Sequence, residues 1–346
     1  TPPRVAIIGA GLAGLSCARA LHAHRVPVTV FEKARGPAGR TSTRRQGDAA
    51  LRFDHGAQYF KAHDPRFARE ARQWASRALI APWRGRFATH RDGTWHTTPT
   101  SEADPRWVGQ PGMNAIAKHL ADGLTVHTRT RVGAVEPSSE GGWTLSAVEG
   151  DGLGRFDRVI LAIPPAQAAD LLPPNHPWHA VALEGDARMA PCWAAMVAFD
   201  APVPWEIDGA RLDHPDSALA WVARDSSKPG RAPGERWVLH ASASWSQRWL
   251  EESREDIAPR MLDAFAALLD DPLPAHSVLV AHRWRYALAT PMEVVADARS
   301  RYDADTGLGL CGGWLADGRV EGAWLSGADM AGHLLREGSL QGGKAG

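Results

Sequence analysis

The sequence predicts an α/β protein in which a doubly wound, largely parallel sheet is interleaved with an α+β module built on a mixed sheet. Three observations predict it. Residues 4–32 run strand, glycine turn, helix, strand, which is how a doubly wound sheet begins. Residues 308–336 return to that style near the other end of the chain. Between about 175 and 285, short apolar strands surround a single amphipathic helix, the pattern of an α+β layer.

Each element has its reason. RVAII (4–8) is apolar and β-branched and stops at glycine, so it reads as a buried parallel strand. LAGLSCARALHAH (12–24) repeats apolar residues at helical spacing, and the next strand follows at 28–32. PRFAREARQWASRAL (65–79) and PGMNAIAKHLADGL (111–124) read as helices, the second ended by Gly123. Residues 125–137 and 142–148 alternate like antiparallel strands. FDRVILAIPPAQAADLL (156–172) is a buried strand stopped by Pro164-Pro165, then a helix. CWAAMVAF, LAWVA, RWVLHASA and VLVAHRW are strands around a lid-like helix at 251–269. A strand at 308–311, a glycine turn and a helix at 321–336 close the pattern. The expected division is one discontinuous domain (1–60, 107–172, 286–340), a module from 61–106 and 173–285, and a loose tail at 341–346.

Composition narrows the class. The 346 residues are 44% hydrophobic with a formal net charge of zero, so neither a disordered chain nor a basic nucleic-acid surface is expected. Only Lys33, Lys61, Lys118, Lys228 and Lys344 are lysine among 39 basic residues, a bias that with abundant alanine reads as a GC-rich bacterial coding sequence. Most of the 15 tryptophans belong to the core, and a few are expected to line a pocket for a flat ligand. Cys17, Cys192 and Cys311 are far apart, so no disulfide framework or paired-cysteine metal site is expected. The histidines form no H-E-x-x-H, and no G-x-S-x-G elbow exists. With no run of eighteen apolar residues and no leader-like start, the expectation is a cytoplasmic protein without a membrane partner.

The N-terminal chemistry is the most specific signal. Gly9, Gly11 and Gly14, with Ala13 between the last two, make G-x-G-x-x-G directly after a strand and before a helix. These glycines allow a tight turn, close approach of backbone to a pyrophosphate and close helix–strand packing. The helix N-terminus offers free N–H groups to phosphate. Glu32 ends the second strand, where a carboxylate accepts from ribose hydroxyls. An adenine dinucleotide is expected here. The following KARGPAGRTSTRR (33–45) separates FAD from NAD. A simple NAD dehydrogenase needs no such loop, whereas many flavoproteins carry R-x-G-G-R there. Gly36, Gly39 and Arg40 fit that pattern, with Ala38 in place of one glycine. A solvated basic loop is the plainer alternative.

VAIIGAGLAG (5–14), ARGPAGR (34–40), FDHGAQYF (53–60), WVGQPGMNAIAKHLA (107–121), FDRVILAIPPAQA (156–168), HRWRYA (282–287) and GRVEGAWLSG (318–327) occur in that order. The sequence resembles the flavin amine oxidase superfamily, and within it the renalase-like branch. The resemblance implies a Rossmann-like FAD-binding domain of the p-hydroxybenzoate hydroxylase/amine oxidase type (GR2) and non-covalent FAD. It places Lys33, Gly39, Arg40, His55, Gly56, Ala57, the backbone of Val132, Gly312, Gly313, Val320, Glu321 and Ala323 against the cofactor. Gly313 stands where most relatives have Asp, a change expected to weaken FAD retention by about 1–3 kcal/mol.

The resemblance further implies an oxidase of 1,2- or 1,6-dihydro isomers of NAD(P)H, with a dinucleotide substrate and O2 as its small-molecule partners and peroxide as a product. Such a ring loses hydride without a general base. Amine-oxidising relatives commonly use a lysine in the substrate domain, and here only Lys228, in the turn-like SSKPG, lies between Lys118 and the tail. Gln58, Tyr59 and Phe60 are expected beside the substrate, or alternatively form a packed strand with a polar edge. Trp284 and Trp324 are candidate ring walls. Arg319 is a candidate phosphate ligand or a solvated turn residue, and His96, Thr97 and Thr98 are candidates for the substrate mouth. The rivals on the same fold are an amine oxidase or desaturase-type flavoenzyme and a non-catalytic binding protein like the dissociation inhibitors of small GTPases.

Overall fold

Val5, Ala6 and Ile7 have no exposed surface, and their strand lies inside the sheet that organises the first half of the molecule. The computed structural model describes residues 2–214, 216–289 and 299–342. It divides the chain into two units, 1–41 with 117–189 and 289–346, and 42–116 with 190–288.

In the first unit six strands run in the order Ser300–Asp303, Leu308–Cys311, Arg158–Leu161, Val5–Ile8, Val28–Phe31, Thr125–His127. All neighbours are parallel except the edge strand Ser300–Asp303. The helices Leu12–Ala23 and Val320–Gly342 cross at Gly327, where a Cβ would lie 2.0 Å from the Ala13 carbonyl oxygen. Ser16 Oγ donates to the Trp324 carbonyl at 2.7 Å across this crossing. The two glycine-rich segments therefore belong to one layer.

The expected antiparallel strand 125–137 is two elements. Thr125–His127 joins the parallel sheet beside Val28–Phe31, and Val132–Pro137 pairs antiparallel with Trp143–Ala147 in a separate three-stranded sheet. The break has a local cause. Arg129 takes a left-handed φ of 54°, and the Arg129 and Thr130 amides donate to the carbonyls of Ala34 and Glu32 instead of continuing a ladder.

The second unit is a mixed sheet in the order His276–Ala289, Met189–Phe199, Glu235–Ala241, Leu219–Arg224, Gly209–Leu212, Phe87–Arg91, Thr94–Thr98. Trp193, Val197, Trp237 and Leu239 bury one face against Ile257, Met261 and Phe265 of the helix Arg254–Ala266. Those three helical residues have no exposed surface. The helix expected as a lid is thus a core layer, and it starts at Arg254 because Ser253 caps it, accepting from the Asp256 amide.

Several expected boundaries move. Residues 42–60 and 107–116 lie in the second unit and 173–189 in the first. The helix Pro177–Ala187 accounts for the last shift, since Gly185 sits flat against Trp314, where a Cβ would come within 2.4 Å of the indole. The helix expected from 111 is only Ala115–Ala121, because the Met113 amide donates to the Asp54 carboxylate. GAQYF is not a strand: Phe60 makes a single bridge to Trp107. The hairpins within 44–53 and 87–98 were not anticipated from the sequence.

Candidate functional site

In the first unit the glycine fingerprint forms a cradle. Gly9 has φ of 107°, and a Cβ there would meet the Ala162 carbonyl oxygen at 2.3 Å. A Cβ on Gly14 would sit 2.0 Å from the Gly9 carbonyl oxygen, so the helix starts hard against the turn. Among the described residues, a Cβ on Gly11 meets no atom within 4 Å. That open side, at a helix N-terminus with no side-chain cap, is where a diphosphate would be accommodated. Glu32 is buried, and its two oxygens accept from the Ala10 and Ala34 amides, each at 2.8 Å. Each oxygen keeps capacity for a ribose hydroxyl.

Loop 36–41 and segment 312–323 reach the same place. Gly39 lies against Gly11, where its Cβ would be 3.3 Å from the Gly11 Cα. An Arg40 terminal nitrogen is 3.1 Å from where a Cβ of residue 313 would be, and the Ala323 Cβ is 3.5 Å from that point. Gly313 therefore leaves room for the half-buried Arg40 guanidinium rather than an empty place. Burial lowers the Arg40 pKa. Gly312 is fixed by its amide donating to Ser326 Oγ at 2.8 Å. Val320 and Glu321 open the last helix, and Asp317 accepts from the Arg319 amide at 3.0 Å just before it. Arg319 itself is exposed. Lys33 turns to Gln167 Oε1 at 3.2 Å, and Val132 is buried among the core side chains. The residues present fit a dinucleotide such as FAD.

In the second unit the expected substrate residues separate into different roles. Trp284 Nε1 and His240 Nε2 each approach the His55 carbonyl at 3.0 Å, and the His55 ring lies 4.8 Å from His282 and 4.9 Å from Trp284. Burial is the main cause that lowers the pKa values of His55, His240 and His282, to about 3, 4 and 4. All three are neutral at pH 7. His55 Nδ1 is buried and has no partner among the described residues. Tyr59 is half-buried beside Trp83 and Trp221, with ring centroids 6.4 and 5.7 Å away.

Gln58 and Phe60 are packed inside the second unit. Gln58 is buried, its Nε2 donates to the Asp54 and Gly56 carbonyls, and its Oε1 accepts from Lys228 at 3.3 Å. Phe60 is buried against Phe67, with centroids 5.7 Å apart. Gly56 and Ala57, expected against the cofactor, lie with His55 in the second unit. His96, Thr97 and Thr98 sit on the strand at one edge of the seven-stranded sheet and Trp284 on the strand at the other. Six strand spacings separate them by roughly 29 Å along a flat sheet. Trp324 is half-buried at the helix crossing.

A buried ionic hub carries no signature motif in the sequence. Asp54 Oδ1 accepts from Thr43 Oγ1 at 2.8 Å and the Met113 amide at 2.9 Å, while Oδ2 faces Lys228 Nζ at 3.3 Å and the Arg231 guanidinium. Lys228 also meets Asp225 Oδ1 at 2.8 Å. Lys228 is therefore no surface turn residue: its side chain has no exposure. Its rarity among the basic residues was the one available signal. Replacing Gln58 with leucine strands two carbonyls and one ammonium contact, and is expected to lower stability by about 1–3 kcal/mol in a thermal melt.

Flavin containing amine oxidoreductase matches residues 96–335, more than two thirds of the chain. The chain belongs to the flavin-containing amine oxidoreductase family. An NAD(P)-binding Rossmann-like domain matches residues 7–74. A similar curated protein is the tRNA 5-methylaminomethyl-2-thiouridine biosynthesis bifunctional protein MnmC of Magnetococcus marinus, 28% identical over 224 residues; the match covers 54% of this chain, which spans only 33% of that protein. Among solved structures, a putative protoporphyrinogen oxidase from Exiguobacterium superposes with a TM-score of 0.76 at 14% identity, covering 96% of this chain and 99% of the other. Cyclohexylamine oxidase from Brevibacterium oxydans gives 0.72 at 15% identity, covering 99% and 100%. A putrescine oxidase bound to putrescine gives 0.70 at 16% identity, covering 97% and 99%. These structural likenesses establish the fold, and membership in this amine oxidoreductase family implies a flavin cofactor.

Proposed function

We propose that this amine oxidoreductase family member is an FAD-dependent oxidase that removes hydride from a carbon bonded to nitrogen, with amines as its first substrate class. The carrying observation is the convergence of the Gly9–Gly14 turn, Glu32, Arg40 and Gly313 in one unit. When bound, FAD supplies a two-electron acceptor that passes its electrons to O2, giving peroxide.

The chain's own residues would do the rest. Gly11 and the first turn of the helix would take the diphosphate, Glu32 the ribose hydroxyls, and Arg40 the remaining negative charge near Gly313. The half-buried Tyr59 ring, backed by the tilted rings of Trp83 and Trp221, offers an aromatic face on which a substrate would be oriented. His55, kept neutral by its burial, would not repel a cationic product. A nitrogen lone pair beside the departing hydride leaves a delocalised cation in either substrate class, an iminium from an amine or a pyridinium from a dihydropyridine.

One observation favours a second reading, oxidation of 1,2- or 1,6-dihydro isomers of NAD(P)H. The Lys228 ammonium is committed to Asp54 and Asp225, and a dihydropyridine needs no lysine-assisted proton transfer. Anaerobic absorbance scans of the FAD-loaded protein separate the two. Bleaching of the flavin band by primary or secondary amines supports the first reading. Bleaching by borohydride-reduced NAD+ isomers, but by neither amines nor ordinary NADH, supports the second. A band that no donor bleaches contradicts both and favours a non-catalytic binding protein.

A further inference from the structure

Arg106 differs from the arginines around it. Arg84 is paired with Glu102, Arg86 with Asp208 and Glu206, and Arg231 with Asp54. Among the described residues, the Arg106 side chain has no hydrogen-bond or ion-pair partner, and its Nε is buried without an acceptor. The guanidinium is instead held by rings, 4.1 Å from the Phe87 centroid and 5.5 Å from that of Tyr59. Trp221, whose ring is 5.7 Å from Tyr59, also has a buried Nε1–H without an acceptor. Among the described residues, two unfilled donor groups thus flank one half-exposed aromatic ring, and no carboxylate pairs with the arginine.

We propose that Arg106 is the anion-recognising residue of the substrate site, so that the substrate carries a carboxylate or phosphate next to a flat group that rests on Tyr59. An arginine clamped between rings keeps its fork in a fixed orientation and loses little freedom when an oxyanion bridges two of its N–H groups. The same charge disfavours polycationic substrates such as diamines. The inference deepens the proposed oxidase by giving its substrate an anionic group.

The test uses binding alone, so that its failure is separate from failure of the oxidase reading. FAD-loaded protein is titrated with nicotinate and with nicotinamide, which differ by one negative charge, and tryptophan fluorescence is followed. The parent is expected to bind nicotinate at least tenfold more tightly. Arg106→Gln is expected to abolish that preference and Arg106→Lys to keep part of it, with FAD affinity and melting temperature unchanged in both. Equal binding of the two probes by the parent, or a preference that survives in Arg106→Gln, overturns the assignment. Should truncation unfold the second unit, the Arg106→Lys variant and the parent comparison still decide. Displacement of nicotinate by inorganic phosphate assigns the natural group to phosphate, displacement by acetate assigns it to carboxylate, and displacement by neither contradicts an anion site.

Discussion

Asp54→Ala is expected to destabilise the second unit by about 3–5 kcal/mol, the cost of removing one partner from a buried charge cluster. The Asp54 carboxylate has no exposed surface and answers two cations, a hydroxyl and an amide. Without it Asp225 is the one carboxylate left among the described residues to pair with Lys228 and Arg231, and its own pKa is raised by burial. Segment 54–58 would lose its anchor to 113 and 228–231, so Tyr59 and His55 should shift with it. The pH dependence has two windows. Asp54 titrates near 2 in the fold, chiefly because Lys228 and Arg231 overcome its desolvation, against 3.8 ordinarily. Its contribution is therefore present above about pH 4 and is lost as pH falls through 2. His55, His240 and His282 titrate below their ordinary 6.5, so the unfolded chain takes up protons first and stability falls as pH drops from 6.5 towards 3. Melting temperature against pH checks both: Asp54→Asn should flatten the lower window and leave the histidine window in place.

Gly14→Val should abolish useful FAD binding, raising Kd roughly a hundredfold or more, about 2.7 kcal/mol. Its Cβ would lie 2.0 Å from the Gly9 carbonyl oxygen and 3.1 Å from the Ala162 Cβ, and neither the turn nor the adjacent strand can yield without opening the cradle. Quenching of flavin fluorescence measures the loss. Retention of parental affinity would mean that the cofactor sits elsewhere. The contrast with Gly11 sharpens the point. A Cβ there meets only open space in the protein, so Gly11→Ala should leave the fold intact and lower FAD affinity through contact with the ligand alone.

The legible parts were those governed by local chemistry. Glycines at 9, 11 and 14 between an apolar strand and a helix, with an acid ending the next strand, announce their geometry in sequence. The return at 308–336 was legible for the same reason, and Gly327 shows how it meets the first helix. What was hidden depended on distant partners. Gln58 reads as a site residue, yet its amide is taken up by Asp54, Gly56 and Lys228. Lys228 reads as a turn residue because nothing in SSKPG reveals two buried carboxylates around it. The chain from 125 to 137 alternates convincingly, but the amides of Arg129 and Thr130 find carbonyls 95 or more residues earlier, at Ala34 and Glu32. Arg106 gave no signal at all, since an arginine without a counterion cannot be told from a paired one by spacing.

The most direct test of the account is a titration of the purified chain with FAD, followed by flavin fluorescence and by the visible band after gel filtration. One FAD is expected to be retained per chain, with binding weakened by substitution at Gly14 or Glu32 and indifferent to Arg106. A chain that retains no FAD at concentrations saturating for its family would contradict it, and with it every role assigned to the glycine cradle.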